Sequence, residues 1–393
     1  MKDLWIFALF PIILSIGILP TVPISFSEEI ECPTGEVETV RINTSKTVCI
    51  DQTTAQRWSD LGIAEISDES NQEPVNAPEE SIPLDEKTSG NENETTSMSI
   101  MNYTQIPPII DPEKGYFVAE ISDGLYWLSD GVYQIMFLTT GEGVIVVDAP
   151  PSIGSNILTA IDEVTDEPIT HVIYSHIHQD HIGAAYNYPE NATIISHVDT
   201  ANHLEMKNDP NRPIPTETFV DDFTLVVGDQ TLELSYKGAF HSKGDIMIFA
   251  PKQNVLMVVD HFHPAGAPFK GFAITTDMNN YIAAHDIILE FDPELIISGH
   301  TEILATPDHV QTNKEFTMDV LENAVTSFQT VDFNEVAIEY GELGSVAVFD
   351  AYLDTLAKTC VDLTIEQWDG KLHDLGVFME DNCSAMVFHV FID

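Results

Sequence analysis

The sequence predicts an α/β protein in which two β-sheets are covered on the outside by helices. Two series of β-branched and aromatic runs predict strands, the first from YFVAEI to VIVVDAP and the second from DFTLVVGD to NVLMVVDH. Segments with helical spacing, such as SNILTAIDEV, lie between and after these runs. This order of strands, helix, strands and helices is typical of sheets packed within helical layers. With 44% hydrophobic residues, the chain can bury a sizeable core.

Three segments precede the predicted α/β domain. Residues 4–26 carry no charged side chain, so residues 1–27 are predicted to be an export signal, with a retained membrane anchor as the alternative. Residues 28–66 contain two cysteines and predict a small disulfide-stapled module. Residues 67–113 are rich in Ser, Asn, Glu, Pro and Thr, a composition that predicts a disordered acidic linker.

The α/β domain is predicted at residues 114–305 and is followed by an extension at residues 306–393. The extension has mainly helical spacing, as in HVQTNKEFTMDVLENAVTSF, and we expect it to pack on the domain. The last eight residues, MVFHVFID, are apolar and partly β-branched, which predicts an edge strand. We expect the helices to cover one side of the functional site and to contribute to substrate choice.

The four cysteines allow three pairings. The most local pairing joins Cys32 with Cys49 and Cys360 with Cys383, and each pair closes a short loop near one end of the chain. Persistent disulfides fit an exported protein.

The charge balance is strongly acidic, with 64 Asp and Glu against 15 Lys and Arg and a formal net charge of −49. No cluster of basic residues is available to displace counterions from phosphates, which excludes nucleic acid as a partner. The acidic surface is interpreted as a solvated face that resists association in salty surroundings.

The stretch SHIHQDHIG concentrates candidate metal ligands directly after a predicted strand. Alternate residues of an extended stretch point the same way, so His176 and His178 can converge on one ion. Asp180 and His181, in the turn toward a helix, can face a second ion. Imidazole and carboxylate ligands suit Zn²⁺, with Mn²⁺ or Fe²⁺ as alternatives. A solvated polar turn is the competing interpretation, but chance yields such a cluster in on the order of one chain in a thousand.

The chain resembles the metallo-β-lactamase superfamily through five motifs that occur in order. They are Asp148 in VIVVDAP, the cluster described above, His241 in GAFHSKGD, Asp260 in LMVVDHFHP and His300 in IISGHTE. The resemblance covers about residues 116–305. It implies a four-layer αββα sandwich.

The resemblance also implies a dinuclear centre with two Zn²⁺ per chain. The implied ligands are His176, His178 and His241 for the first ion, Asp180, His181 and His300 for the second, and Asp260 between them. Asp148 is expected to support the cluster through hydrogen bonds. Asp180 and Asp260 are assigned to catalysis as well, since two cations sharing a hydroxide provide a nucleophile at neutral pH. His263 and Lys243 are possible pocket residues.

Three features narrow the reaction. Asp260 stands where some β-lactamases of the family have Cys, and Asp is similar to the lactonase, glyoxalase II and phosphodiesterase pattern. His178 stands where flavodiiron proteins have Glu, and no flavin domain follows, so redox chemistry is disfavoured, with persulfide dioxygenases as a minor alternative. Basic residues are scarce, since Arg212 is the only arginine after Arg57. A neutral ester or lactone therefore fits better than an anionic substrate, although Lys243 and Lys270 keep a β-lactam possible.

The predicted function is that of an exported metal-dependent hydrolase that opens a neutral ester or lactone with a dizinc-bound hydroxide. The alternatives are a β-lactamase and a glyoxalase II-like thioesterase. An alternative of another class is an envelope-associated binding protein with an inactive metal domain, in which the N-terminal module binds the partner. The complete set of implied ligands argues against this last alternative.

Overall fold

The computed structural model describes residue 32, three short strands near the N-terminus and residues 99–393. The three strands are β1 (Glu36–Arg41), β2 (Thr47–Asp51) and β3 (Ala64–Ile66). They form an antiparallel sheet in the order β2-β1-β3 and belong to a compact unit, Met1–Glu92, separate from Asn93–Asp393. The predicted export signal lies outside the described residues.

The predicted linker ends earlier than residue 113. A 3₁₀-helix spans Ile100–Thr104, the Tyr103 ring lies 5.6 Å from the Trp127 ring, and the Tyr103 carbonyl accepts a hydrogen bond from the Leu304 amide at 2.9 Å. The prediction of disorder is therefore wrong for this stretch, because the polar average composition conceals two apolar side chains that pack on the core. Residues 67–98 lie outside the described part of the chain.

Two mixed sheets form the centre of the Asn93–Asp393 unit. The first has seven strands in the order β10-β9-β8-β7-β6-β5-β4, antiparallel from β4 to β7 and parallel from β7 to β10. The second has five strands in the order β11-β12-β13-β14-β15, of which β14 and β15 are parallel. The strands are β4 (Phe117–Ser122), β5 (Leu125–Ser129), β6 (Gln134–Thr139), β7 (Val144–Val147), β8 (Ile169–Ile173), β9 (Thr193–His197), β10 (Glu217–Phe219), β11 (Asp222–Val227), β12 (Gln230–Ser235), β13 (Met247–Ala250), β14 (Val255–Met257) and β15 (Leu295–Ile297).

The two sheets bury a common core between them. Along β7, Ile145 and Val147 point into this core, where they join Ile297 of the second sheet. Val144 and Val146 point to the opposite, outer face of the first sheet. The side chains of β7 alternate between two apolar environments, which explains why the strand is a continuous apolar run in the sequence.

Helical residues cover the outer faces of both sheets. Ile157 and Ile161 pack in the outer core of the first sheet, and Ala284 and Ile288 pack in that of the second. The helices are α1 (Asn156–Asp162), α2 (Gln179–Ile182), α3 (Val198–Lys207), α4 (Met278–Glu290), α5 (Pro307–Thr330), α6 (Phe333–Tyr340), α7 (Ser345–Trp368) and α8 (Leu375–Ile392), with further 3₁₀ turns at Ala185–Asn187 and Gly341–Leu343.

The C-terminal residues are helical, so the prediction of an edge strand in MVFHVFID is wrong. Within α8, Met379, Cys383 and Val387 recur every fourth residue and are buried in a core shared with α5 and α7. This period is helical, and the last eight residues alone are too short to reveal it. Among the described residues, α8 is also the one helix with the length and apolar composition to cross a membrane. Its buried face makes it part of the C-terminal core.

The Cys360–Cys383 disulfide joins α7 to α8, as the most local pairing predicts. Cys32 is also disulfide-bonded, but the side chain of its predicted partner Cys49 is not among those the structure describes.

Removal of the C-terminal disulfide is expected to destabilise the protein. The bridge closes a loop between residues 23 positions apart, and loop-closure entropy predicts that replacing both cysteines by Ala costs about 3 kcal/mol of unfolding free energy. Urea denaturation of the double variant and of the wild type, with and without reductant, measures this cost. Reductant should lower the wild-type midpoint toward that of the variant, and coincident midpoints throughout would contradict the expectation.

Candidate metal centre

The candidate ligands lie where strands of both sheets end. Asp148 directly follows β7, His176 follows β8 by three residues, Asp260 follows β14 by three, and His300 follows β15 by three. β7 and β8 are parallel neighbours in the first sheet, and β14 and β15 are parallel neighbours in the second. Since the carboxyl ends of parallel strands lie at one edge, both sheets deliver these side chains to a common rim.

The HxHxDH motif folds as a loop entering a short helix. His176 lies in a bend beyond β8, and His178 is the residue before α2, with extended backbone angles. The two rings converge, with centroids 4.7 Å apart. The bend brings them together, and the side-chain alternation of a strand, on which the sequence argument rested, is not the cause.

The structure gathers seven predicted ligands into two groups that share one member. Within each group the possible ligand atoms all lie within 4.8 Å of one another. The first group is His176, His178, His241 and Asp260, and the second is Asp180, His181, Asp260 and His300. These are the two sets, with the same shared residue, that the family resemblance implies.

Asp260 presents one carboxylate oxygen to each group. Its Oδ2 lies 3.2 Å from His241 Nε2 and 3.5 Å from His176 Nε2. Its Oδ1 lies 3.0 Å from His181 Nε2 and 3.3 Å from His300 Nε2. The backbone of Asp260 has a φ of 61°, a strained conformation for a non-glycine residue that persists where surrounding structure enforces it. This geometry suits a carboxylate that bridges two cations.

The donor atoms are arranged as metal ligands. His178 Nδ1 and His241 Nε2 face each other at 2.8 Å, and His181 Nε2 and His300 Nε2 do so at 3.0 Å. Within the part of the chain that the structure describes, His176 Nε2 and Asp260 Oδ1 are buried without a well-aligned hydrogen-bond partner. Buried polar atoms without partners are costly, and a divalent cation in each group would satisfy these atoms. The residues therefore fit a dinuclear centre.

The electrostatics of the two groups differ. Burial lowers the pKa of His176 to about 3 and, together with His241, that of His178 to about 4, so both rings are neutral at pH 7, the form that binds metal. Burial also opposes charge on His181, but the carboxylates of Asp260, Asp148 and Asp180 outweigh it and raise the His181 pKa to about 9. The second group therefore has a surplus of negative charge that a divalent cation would balance.

Asp245 supports His241 and was not identified in the sequence, although it ends the quoted stretch GAFHSKGD. Its buried carboxylate accepts hydrogen bonds from the His241 amide at 2.8 Å and from the Ser242 amide and hydroxyl, both at 2.6 Å. Burial raises the Asp245 pKa to about 6. The His241 ring is fixed from its other side, where Nδ1 donates to the Ala273 carbonyl at 2.5 Å. This leaves Nε2 to face the centre.

Tyr133 and Gln134 support the second group. The sequence does not reveal this role, since both residues belong to the run YQIMFLTT, whose composition indicates only a buried strand. The Tyr133 hydroxyl donates to Asp180 Oδ2 at 3.3 Å, and its ring lies 4.3 Å from the His300 ring. Gln134 Nε2 donates to the His300 carbonyl at 2.7 Å. These contacts orient Asp180 and His300.

Asp148 contacts the ligand loop. Its buried Oδ1 accepts a hydrogen bond from the Ser175 amide at 2.8 Å, next to His176, and burial raises its pKa to about 6. Lys243 is exposed and His263 is half-buried, and neither belongs to the two ligand groups. Their assignment to a substrate pocket stays a prediction.

Arg212, the only arginine after Arg57, binds the ligand loop and Asp209. It is only 8% exposed. Its Nη1 donates to the Ile177 carbonyl at 2.9 Å, between His176 and His178, and its Nε pairs with Asp209 at 2.8 Å. The guanidinium is thus committed to the ligand loop.

His261, the residue after Asp260, lies in a buried cluster. Its ring is 4.5 Å from those of Tyr281 and His285, and both of its nitrogens are buried without a hydrogen-bond partner among the described residues. Burial lowers the pKa of His261 well below its usual value and that of His285 to about 4. The cluster is therefore neutral at pH 7.

This cluster predicts a loss of stability in acid. Between pH 6.5 and 4, His285 is protonated in the unfolded chain but not in the folded chain. As the pH is lowered through this range, this residue therefore decreases the free energy of unfolding by about 1.4 kcal/mol per pH unit. His285→Gln is expected to make the dependence of unfolding free energy on pH shallower, by the amount that corresponds to about one proton. Urea unfolding at pH 6.5, 5.5 and 4.5 measures the slopes, and equal slopes for variant and wild type would show that folded His285 takes up the proton.

Comparisons identify known proteins to which this chain is similar. The family model described as "Metallo-beta-lactamase superfamily" matches residues 129–300. The alpha subunit of 2,4-dinitroanisole O-demethylase from Nocardioides sp. (strain JS1661) is 25% identical over 187 residues, 45% of this chain and 55% of that protein, so the match spans about half of that relative's length. Metallo-beta-lactamase type 2 of Bacillus cereus is 23% identical over 226 residues, 56% of this chain and 82% of that protein. A solved metallo-beta-lactamase from Pontibacter korlensis aligns with a TM-score of 0.44 at 18% identity, over 51% of this chain and 99% of that chain.

The matched residues 129–300 include every member of the two ligand groups. The fold around them has two mixed sheets with helices outside. The chain belongs to the metallo-beta-lactamase superfamily and carries the paired His/Asp clusters of its dimetal hydrolases.

Proposed function

We propose that the protein is a metal-dependent hydrolase that opens a neutral ester or lactone. The observation that carries this proposal is the position of Asp260, whose two oxygens each face one of the two His/Asp groups. Cations held by these two groups would be joined through the Asp260 carboxylate and would act on the same substrate carbonyl.

The chain's residues prepare the chemistry of this centre. Two bound divalent cations would supply a nucleophile from water near neutral pH and polarise the substrate carbonyl. His176, His178 and His241 would hold one cation through imidazole nitrogens, and the carboxylates of Asp180 and Asp260 would supply negative charge to balance the two cations. Nitrogen and oxygen ligands favour Zn²⁺, with Mn²⁺ or Fe²⁺ as alternatives.

The scarcity of available cations supports a neutral substrate. Arg212 is committed to the ligand loop, and Lys270 pairs with Asp381 at 3.4 Å. A carboxylate or phosphate on a substrate calls for a cation placed to pair with it. The relative named for O-demethylation of 2,4-dinitroanisole acts, by its name, on an uncharged compound, which also favours this class. The same argument disfavours nucleic acids and glutathione thioesters.

A β-lactamase is the second candidate, and Lys243 is the observation that favours it. This lysine is exposed and lies two residues after His241, where an ammonium group could pair with the carboxylate of a β-lactam. The similarity to the Bacillus cereus metallo-beta-lactamase supports including this substrate class in the test.

The test is hydrolysis of neutral lactones, aryl esters, β-lactams, thioesters, phosphodiesters and 2,4-dinitroanisole by the purified protein. Chelated and zinc-, manganese- or iron-reloaded samples are run in parallel. We expect metal-dependent turnover of lactones or esters, with KM unchanged in Lys243→Ala. Turnover restricted to β-lactams, with KM raised in Lys243→Ala, would support the second candidate.

The same assay addresses the alternative of an inactive, envelope-associated binding protein. That protein would retain partner binding after chelation and turn over no substrate at any metal load. The proposal predicts the opposite result, in which chelation abolishes turnover and reloading restores it.

We also propose that the protein is exported, either secreted or held at the cell envelope through its N-terminus. The uncharged residues 4–26 and the Cys360–Cys383 disulfide support an oxidising compartment. Fractionation of the source cells, followed by N-terminal sequencing, tests this. A reduced, cytoplasmic protein that begins at Met1 would contradict it.

A further inference from the structure

A left-handed backbone segment lies beside the metal centre. Gly271, Phe272 and Ala273 have φ values of 58°, 54° and 55°, and Ile274 follows with 52°. Three consecutive non-glycine residues in this region are unfavourable, since each Cβ crowds the adjacent carbonyl oxygen. Such a turn persists only where the surrounding structure imposes it, and strain of this kind concentrates at functional sites. We call Lys270–Ile274 the left-handed turn.

On one side, the left-handed turn holds a candidate metal ligand. The Ala273 carbonyl accepts the Nδ1 hydrogen of His241 at 2.5 Å. That hydrogen bond selects the tautomer in which His241 Nε2 is free of hydrogen and faces Asp260 at 3.2 Å. Just beyond the turn, the Thr275 hydroxyl donates to the Phe240 carbonyl at 2.6 Å, which ties it to the backbone of the ligand loop.

On the other side, Asn382 of α8 holds the left-handed turn. Its Oδ1 accepts the Phe272 amide at 2.9 Å, and its Nδ2 donates to the Pro268 carbonyl at 2.9 Å. The Asn382 side chain is fully buried, so these bonds have no competition from water. The next residue, Cys383, forms the disulfide with Cys360, which anchors this position of α8 to α7.

We propose that Asn382 is a positioning residue for the metal centre, which holds the left-handed turn so that the Ala273 carbonyl fixes the tautomer and direction of His241. The C-terminal helices thereby act on the site through one buried side chain, in addition to any role in covering its mouth. The proposal concerns metal binding and does not depend on which substrate is hydrolysed. Partners that orient a ligand typically change metal affinity by about 10- to 100-fold when removed.

The test compares Asn382→Leu with a matched control, Asn323→Leu. Leucine has a similar size but makes neither hydrogen bond. Asn323 is also a buried asparagine of the C-terminal core, and it donates to Thr364 Oγ1 and Gln367 Oε1 at 3.1 and 2.7 Å without contacting the left-handed turn. Both variants are expected to lower Tm.

The measured quantities are Zn²⁺ affinity, from competition with a chelator, and the visible absorption spectrum of the Co²⁺-loaded protein. We expect Asn382→Leu to weaken Zn²⁺ binding at the first ligand group, which contains His241, by at least about tenfold and to alter the Co²⁺ bands. Asn323→Leu is expected to leave both the Zn²⁺ affinity and the Co²⁺ bands as in the wild type. Wild-type affinities and bands in folded Asn382→Leu would overturn the proposal. So would equal losses in the two variants, because those would reflect general destabilisation.

Amide hydrogen exchange on the wild-type protein tests the proposal without a variant. Coupling between the turn and the metal site is reciprocal, so metal loading is expected to slow exchange of the Phe272 amide more than that of amides around Asn323. Equal changes at both places would overturn the proposal. Both readouts report metal binding, so an inactive protein that still shows them would contradict the proposed hydrolysis and leave the role of Asn382 intact.

Discussion

Asp260→Asn is expected to reduce metal-dependent turnover by about 10²- to 10³-fold, the scale on which enzymes lose rate when a charge-stabilising group is removed. Asparagine keeps the size of the side chain and tolerates the positive φ of this position. It removes the negative charge and leaves one oxygen where the two groups need two. We therefore expect the variant to hold at most one metal ion tightly.

Metal content and kcat/KM, measured on the same preparations, check this expectation. Asp292→Asn is the matched control, because Asp292 is an exposed aspartate that also has a positive φ, 48°, and lies outside both ligand groups. It should retain two metals and full activity. An Asp260→Asn protein with two tightly bound metals and wild-type turnover would show that Asp260 does not bridge the centre.

Arg212→Ala is expected to lower the free energy of unfolding by about 4 kcal/mol, since two hydrogen bonds from a charged donor are lost. The Ile177 carbonyl between His176 and His178 loses its partner, and Asp209 loses its counter-ion. Because the ligand loop is then less fixed, metal affinity should also fall by about tenfold.

Arg212→Lys separates the two contributions. Lysine restores a positive charge near Asp209 but lacks the planar fork that reaches both acceptors. Urea unfolding and chelator competition should place it between wild type and Arg212→Ala in both stability and metal affinity. If Arg212→Ala binds metal as the wild type does, Arg212 contributes to stability alone and does not position the loop.

The strands and the ligand groups were predictable because local pattern and motif order carry the information. A continuous apolar run such as VIVVDAP predicts a strand covered on both faces, and the residue that ends it is delivered to the sheet edge. The shared role of Asp260 came only from the family resemblance, and its two-sided geometry in the structure has the form that the resemblance implies.

The residues that support the ligands were not predictable, since their partners are distant in sequence. Gln134 reaches the His300 carbonyl across 166 positions, and the Phe272 amide meets Asn382 across 110. The left-handed turn even opposes local propensity, because Phe272, Ala273 and Ile274 favour other backbone conformations. Tertiary contacts impose this conformation. The residue pattern of KGFAI gives no indication of those contacts.

The error at the C-terminus has a similar origin. The apolar and partly β-branched composition of MVFHVFID resembles that of a strand, whereas the buried face of α8 includes Met379 and Cys383 from farther upstream. Burial at every fourth residue, together with the disulfide to α7, determines the helix. A window of eight residues was too short to distinguish the two periods.

The central claim is that two His/Asp groups joined by Asp260 hold two metal ions. Element-specific mass spectrometry of the purified full chain, after reloading with Zn²⁺ and removal of loosely bound ions, tests it most directly. The structure predicts two metal ions per chain. One ion per chain, or none, with the protein folded, would contradict the dinuclear centre and the hydrolytic function proposed for it.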